Sequence, residues 1–367
     1  MKYIDEFRNS ELARKVLKEI HDLADEPVRI MEICGGHTHV IFKYGIEKMI
    51  PPQVELIHGP GCPVCVTPLE RVDLAIDLAW RDNVIFTTFA DMIRVPGSKS
   101  SLQREKARGA DIRMVYSSLD ALDLARDNPD RPVVFFAIGF ETTAPTNAMS
   151  VLLAREQGLD NYSIFSNHVT VPVAVRAILD SPDVRLDAFI APGHVSLVTG
   201  SRMYEFMADD YGKPVVVSGF EPLDIMQSIA MILRQRREGR CQVENQYIRA
   251  VTPQGNPLAQ QVVERVLEPC DMRWRGLGLI PGSGLKVRPE FSAHDAEHRF
   301  DIGSLPELED PKACDCGNIL RGAKMPWDCR VFGKGCTPEH PIGACMVSSE
   351  GACAAYYNYG RHNLAPR

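Results

Sequence analysis

Short apolar runs alternate with amphipathic stretches along most of the chain. Apolar runs bounded by Gly, Pro or polar clusters predict strands at Val28–Ile33, Val54–Ile57, Val84–Thr88 and Ile112–Tyr116, then at Val133–Ile138, Tyr162–Phe165, Ala188–Ala191 and Pro214–Val217. Between them, apolar residues recur every three to four positions in Leu69–Trp80, Leu119–Arg126 and Pro222–Arg237, the spacing of one helix face. Strands that alternate with helices read as βα units on parallel sheets. The strands fall into two sets of four that look like a distant duplication, since Val115–Asp120 and Val217–Asp224 each close a fourth strand and open a helix. The expected organisation is an N-terminal helix over 1–27, one α/β domain over 28–130, a second over 131–289, and a cysteine-rich region over 290–367. Two Rossmann-like halves face each other in this reading. Open α/β sheets bind ligands beyond the carboxyl ends of their strands, so the loops that follow the strands carry the candidate chemistry. Residues Gln242–Asn256 begin a return segment with no assigned place.

The first such loop is Cys34-Gly35-Gly36-His37-Thr38-His39, directly after a strand and at the mouth of a helix. Unpaired N–H groups and the positive helix end favour a thiolate there, as nucleophile or metal ligand. The next strand ends in His58-Gly59-Pro60-Gly61-Cys62-Pro63-Val64-Cys65. Two intervening residues bring both sulfurs to one side of a turn, which suits either a redox dithiol or a two-thiolate metal clip. Neighbouring βα loops share an end of the sheet, so Cys34, Cys62 and Cys65 are expected to converge with His37 or His39 nearby. Soft thiolates select iron or zinc over magnesium or calcium.

Composition narrows the class. Of 367 residues, 48 are acidic and 41 basic, for a net charge of −7, which points away from nucleic acid or an anionic membrane as the main partner. The charged, amphipathic N-terminus is unlike a secretory leader, and no apolar run is long enough to span a bilayer, so a cytoplasmic protein is expected. In that compartment cysteines serve metals or thiol chemistry rather than structural disulfides. Six of the eleven lie in the tail, at Cys314, Cys316, Cys329, Cys336, Cys345 and Cys353, within a Gly- and Pro-rich stretch. Such a region needs a metal to organise it. It contains no C-x-x-C pair of the zinc-ribbon type, so an iron–sulfur cluster on four thiolates is the expected use, with the remaining pair able to act as a thiol/disulfide couple.

Asp91, Arg94, Glu141, His168, His194 and Glu221 also follow strands and are expected near the cleft, around the thiolates. Thr142 and Thr143 suit a helix N-cap. The stretches Gly276–Gly278 and Gly282–Lys286 lack the full spacing of phosphate loops and read as turns.

Taken in order, CGGHTH at Cys34–His39, GPGCPVC at Gly59–Cys65, GFETT at Gly139–Thr143, APGH at Ala191–His194, GFEPLD at Gly219–Asp224, VENQY at Val243–Tyr247, WRGLG at Trp274–Gly278 and MVSSEGAC at Met346–Cys353 resemble the HypD family of [NiFe]-hydrogenase maturation factors. The resemblance runs from about Tyr3 to Tyr359. It implies two α/β domains with a C-terminal [4Fe-4S] domain, and a scaffold that builds the Fe(CN)2CO group together with a small HypC-type chaperone. Cyanide would arrive from a HypE-type partner, with the hydrogenase large-subunit precursor served indirectly. Carried over by residue, Cys34 holds Fe(II) that receives CN and CO ligands, and Cys62 and Cys65 form the dithiol beside it, transmitting electrons or adding ligation. His37 and His39 tune the site or shuttle protons, and Cys316, Cys329, Cys336 and Cys353 hold the cluster, leaving Cys314 and Cys345 as extras.

Two other classes compete. A free-standing iron–sulfur thiol–disulfide oxidoreductase would use Cys62 and Cys65 on a generic disulfide, and a zinc-stabilised interaction protein would do no redox chemistry. A radical S-adenosylmethionine enzyme is disfavoured because no C-x-x-x-C-x-x-C run occurs.

Overall fold

The structure is a computed structural model that describes residues 10–181, 185–303 and 307–360; the first nine residues of the expected N-terminal helix and the last seven of the tail lie outside these. Among the described residues there are eleven strands: β1 (Val28–Glu32), β2 (Val54–His58), β3 (Ile85–Thr88), β4 (Ile112–Met114), β5 (Val133–Gly139), β6 (Tyr162–Val169), β7 (Ala188–Pro192), β8 (Val215–Ser218), β9 (Val243–Asn245), β10 (Leu267–Trp274) and β11 (Gly278–Val287). The expected α/β class holds, and each strand read from the sequence exists. One sheet has the order β2-β1-β7-β8-β9 and is parallel throughout. The other has the order β10-β11-β6-β5-β3-β4, with β3 to β6 parallel and β11 antiparallel to both its neighbours.

The strands do not fill the sheets in chain order, so a division at 28–130 and 131–289 does not follow the architecture. The chain lays down β1 and β2, leaves to build β3 to β6, returns for β7 to β9, and leaves again for the β10–β11 hairpin. The central strands of both sheets, β5 and β6 in one and β7 and β8 in the other, are buried on both faces, so nothing local in them records which sheet each joins. Residues Gln242–Asn256 supply β9, which extends the first sheet from β8 through Val215↔Val243. Gly276, at φ 75°, turns the last hairpin as expected, whereas Gly282–Lys286 lies inside β11 rather than in a turn.

Side-chain alternation explains the layers. In β5, Val133, Phe135 and Ala137 face an outer core under the helix Ala144–Glu156, while Val134, Phe136 and Ile138 face inward. In β8, Val216 packs outward beneath the helices Ser10–Leu23 and Pro222–Arg237, and Val215 and Val217 point inward. The inward faces of both sheets belong to one continuous core, and each fully buried Val or Phe there contributes about 1.5–3 kcal/mol. The tail, whose cysteines cluster as expected of a small cysteine-rich domain, packs on that core through Cys316, Ile319, Leu320, Cys345 and Met346. Residues 290–303 differ from the rest of the tail: they pack on the second sheet, where the His294 ring lies 2.9 Å from the Tyr162 carbonyl and Asp295 bridges Ile164. Among the described residues no helix is long and apolar enough to cross a membrane.

Candidate functional site

The loops after β1 and β2 are pressed together, as βα topology requires of neighbouring parallel strands. The Gly35 amide donates to the Gly61 carbonyl at 2.9 Å, and a Cβ on Gly61 would lie 2.3 Å from the Cys34 nitrogen. Only glycine permits that approach. Cys34 is the N-cap residue of the helix Gly35–Tyr44, and Cys62 holds the same position on the short helix Pro63–Val66, its sulfur accepting from the Cys65 amide at 3.3 Å.

A buried polar network fixes the base of the Cys34 loop. Glu32, the last residue of β1, accepts from the Cys34 amide at 2.9 Å, from the Thr38 hydroxyl, and pairs with His58 Nδ1 at 2.7 Å. Burial pushes the Glu32 carboxyl up, and these three partners pull it back only in part. Glu32 and Thr38 escape a reading of the sequence for site residues, because a lone Glu in a strand reads as solvent-facing.

Cys34 looks into a cleft of about 410 Å³ between the two sheets. Asp91 and Thr142 line it from the second sheet, His194 from the first, and Ser348 to Glu350 from the tail. The tail strap is tight against the Cys34 loop, since a Cβ on Gly35 would meet the Glu350 Cβ at 2.4 Å. Arg94 ties the strap to the second sheet through the Val347 carbonyl at 2.8 Å. The expectation of a ready thiolate at Cys34 is not met. Backbone N–H groups of Gly36 and His37 do lower its pKa, but burial and then the Glu350 charge outweigh them and push the thiol well up.

The two histidines of CGGHTH are committed elsewhere. His37 Nε2 lies 3.0 Å from the Gly219 carbonyl and 3.3 Å from that of Ser218, and its ring stacks on Phe220 at 4.7 Å. Burial lowers its pKa to about 4, so it is a neutral buckle between the loops after β1 and β8. His39 stands edge-on to Tyr359 of the tail. His194 stacks on the other side of Phe220 at 3.7 Å. His168 is buried between Asn147 and Ser166, and the Glu221 amide donates to Asp224 at the start of the next helix. Thr143 occupies the expected N-cap position, yet its hydroxyl donates to the carbonyls of Ile138 and Phe140 rather than capping the helix.

Glu141 is nearly buried, with Oε1 accepting from the Val171 amide at 2.9 Å and Oε2 lacking a partner. Burial raises its pKa from 4.5 to about 7. The folded protein therefore holds a proton that the unfolded chain has released, and the associated stability is full below pH 4.5 and is lost as pH rises through 7. Glu141→Gln is expected to remove this dependence, which amounts to on the order of 3 kcal/mol. Urea midpoints at pH 5 and pH 8 test it: an equal pH response in variant and wild type would refute the burial account.

Behind Cys34 the thiols continue into the tail. Cys65 is fully buried, and burial followed by the neighbouring thiols of Cys345 and Cys62 pushes it well up. Cys345 moves the other way, held below the usual thiol range because the thiols of Cys316 and Cys65 both donate to it. The Cys316 and Cys345 sulfurs are 2.7 Å apart. The Cys314 thiol is pushed up by Cys316 and then by burial. Cys336 accepts from the Ile342 amide at 3.3 Å, and Cys314 and Cys329 lie within electrostatic reach of both Cys336 and Cys353. All six tail cysteines thus gather in one region, and the CPVC helix abuts it. Among the described residues, no group of three or more His, Cys, Asp or Glu is spaced to hold a single metal ion.

Comparison with known proteins places this arrangement. Residues 11–360 match the family model described as "HypD: Hydrogenase formation hypA family". The chain is 55% identical to hydrogenase maturation factor HypD of Rhodobacter capsulatus, with 98% of each chain covered. It is 53% identical to the Azotobacter vinelandii factor, covering 100% of this chain and 98% of that one. It is 47% identical to the factor of Escherichia coli K12, again with 98% of each covered. The chain belongs to the HypD family of hydrogenase maturation factors.

Proposed function

We propose that this maturation factor is a cytoplasmic scaffold on which iron receives its cyanide and carbonyl ligands, working with a small HypC-type chaperone and a HypE-type cyanide donor. The observation that carries the reading is the continuity of the thiols: Cys34 opens into the cleft, and Cys62, Cys65, Cys345 and Cys316 lead from its loop into the tail.

Cys34 is the iron-holding thiol, with the chaperone's terminal cysteine as the other sulfur donor in the cleft. Its raised pKa fits a ligand that ionises only when the cargo cation arrives, so iron binding releases a proton. The Cys62 and Cys65 dithiol can close to a disulfide, giving up two electrons and two protons to the sulfur-bound cyanide of the HypE-type donor, whose S–C bond breaks to leave a thiol and cyanide. Cys316 and Cys345 form a second such pair, because their sulfurs are already in contact. Thiolates on separate irons of a cluster must stand apart, so Cys316 and Cys345 do not both hold it; we assign them to each other as the redox pair. That pairing leaves Cys314, Cys329, Cys336 and Cys353 for the cluster: Cys336 and Cys353 each lie within electrostatic reach of the other three, and the amide donating to Cys336 is the kind of contact that supports a bound thiolate. A [4Fe-4S] cluster held by these four would supply single-electron chemistry beside the thiol pairs. The hydrogenase large-subunit precursor receives the finished group downstream.

Cys62 is 2% and Cys65 0% exposed, which speaks against a free-standing oxidoreductase acting on bulky disulfides. The test is an infrared spectrum of the protein purified anaerobically with its small chaperone, in the region of metal-bound cyanide and carbonyl stretches. Bands that shift with labelled cyanide are expected. Their absence from an iron-loaded complex supplied with the delivery proteins would overturn the scaffold reading.

A further inference from the structure

Arg275, in the turn between β10 and β11, is a buried cation that the proposed chemistry has not used. It is 3% exposed. Its Nε donates to Asp310 at 2.6 Å, while its Nη1 is buried without a hydrogen-bond partner. A guanidinium cannot shed its proton to escape such a site, so its charge must be balanced by what surrounds it. Asp310 supplies one negative charge. The turn itself is clamped on two sides. The Arg275 amide donates to the Val66 carbonyl at 2.8 Å, at the end of the CPVC helix. On the other side, Gly276 lies against Gly317, where a Cβ on Gly276 would come within 2.3 Å of the Gly317 Cα. This close approach seats the turn against the tail one residue from Cys316, and the bond to Asp310 holds the guanidinium on that side. Burial is the largest single influence and opposes its charge, but Asp310 and the thiols of Cys316 and Cys314 together outweigh it and favour the charged form.

We infer that Arg275 is a positioning residue whose fixed charge offsets the negative charge gathered by the tail thiolates and raises the reduction potential of the cluster they hold. The inference rests on the cluster reading above. Net charge and hydrogen bonds at the sulfurs are the main protein levers on cluster potentials, and each added electron increases the negative charge that a nearby cation stabilises. Asp310 acts in the opposite sense, partly cancelling the cation.

The test uses the full-length chain purified anaerobically with its iron and sulfide, titrated electrochemically with the cluster followed by electron paramagnetic resonance. Arg275→Gln is expected to lower the midpoint so that reduction becomes about tenfold less favourable, roughly 59 mV for one electron. Arg275→Lys, which keeps the charge, is expected to recover most of that shift, and Asp310→Asn to move the midpoint upward. A purely structural role for the Arg275–Asp310 pair predicts loss of cluster content in all three variants without this ordering of potentials. Full cluster content in Arg275→Gln with an unmoved midpoint would overturn the inference. If that variant fails to hold the cluster, Asp310→Asn decides: an upward shift supports the inference, and no shift overturns it. A wild-type chain without iron and sulfide would instead sink the cluster reading, and the inference with it.

Discussion

Cys34→Ala is expected to abolish the infrared bands of iron-bound cyanide and carbonyl while leaving the protein folded. Cys34 is the thiol that opens into the cleft between the sheets. Loss of an outer partner of a metal ligand costs roughly 10–100-fold in affinity, and loss of the ligand itself should exceed that. Stability should change little. The backbone bond from the Cys34 amide to Glu32 survives the substitution, and the half-buried sulfur leaves only a small void, about 1 kcal/mol or less. Unchanged circular dichroism with bands at baseline is the expected pair of results. Normal bands from the alanine variant, purified with its chaperone, would mean that iron is held elsewhere. In the wild type, iron loading should rise with pH, since the thiol must give up its proton to bind.

The tail cysteines are expected to divide into two groups with opposite phenotypes. Ser at Cys314, Cys329, Cys336 or Cys353 should remove iron and acid-labile sulfide together and expose the stretch 314–360 to proteolysis, because so irregular a segment depends on its centre for order. Ser at Cys316 or Cys345 should keep the iron and sulfide but stop ligand assembly, since Cys345 meets both Cys65 and Cys316 and either substitution interrupts that run of thiols. Iron and sulfide analysis of the purified variants settles the division. A Cys316→Ser protein that loses its iron, beside a Cys314→Ser protein that keeps it, would restore the ligand set suggested by resemblance.

The strands were legible because most are buried on both faces, and a run such as Val133–Ile138 admits little else. The convergence of Cys34 with the CPVC loop was legible too, as it follows from two consecutive parallel strands. The order of strands in the sheets was not. Ala188–Pro192 pairs with β1, more than 150 residues earlier, and nothing in its own composition distinguishes it from the strands of the other sheet. His37 and His39 sit in the motif beside the thiol, but helix geometry turns their rings toward Phe220 and Tyr359. Local spacing could not reveal this, because the outcome depends on which distant loop arrives on each face.

By itself the sequence determined the kinds of element, the inventory of thiols and, through motifs in a shared order, the family. These are local properties: a turn, a helix end or a C-x-x-C pair is specified within a few residues by backbone sterics and hydrogen bonding. Only the tertiary structure decided which thiols meet, that Cys345 and not Cys316 neighbours Cys65, and that burial and Glu350 push the Cys34 thiol up where the helix end alone would pull it down. Those outcomes depend on burial and on charges brought from far along the chain, such as Glu350 against Cys34 or Arg275 against the tail, and they arise only when the two sheets and the tail close over a common core.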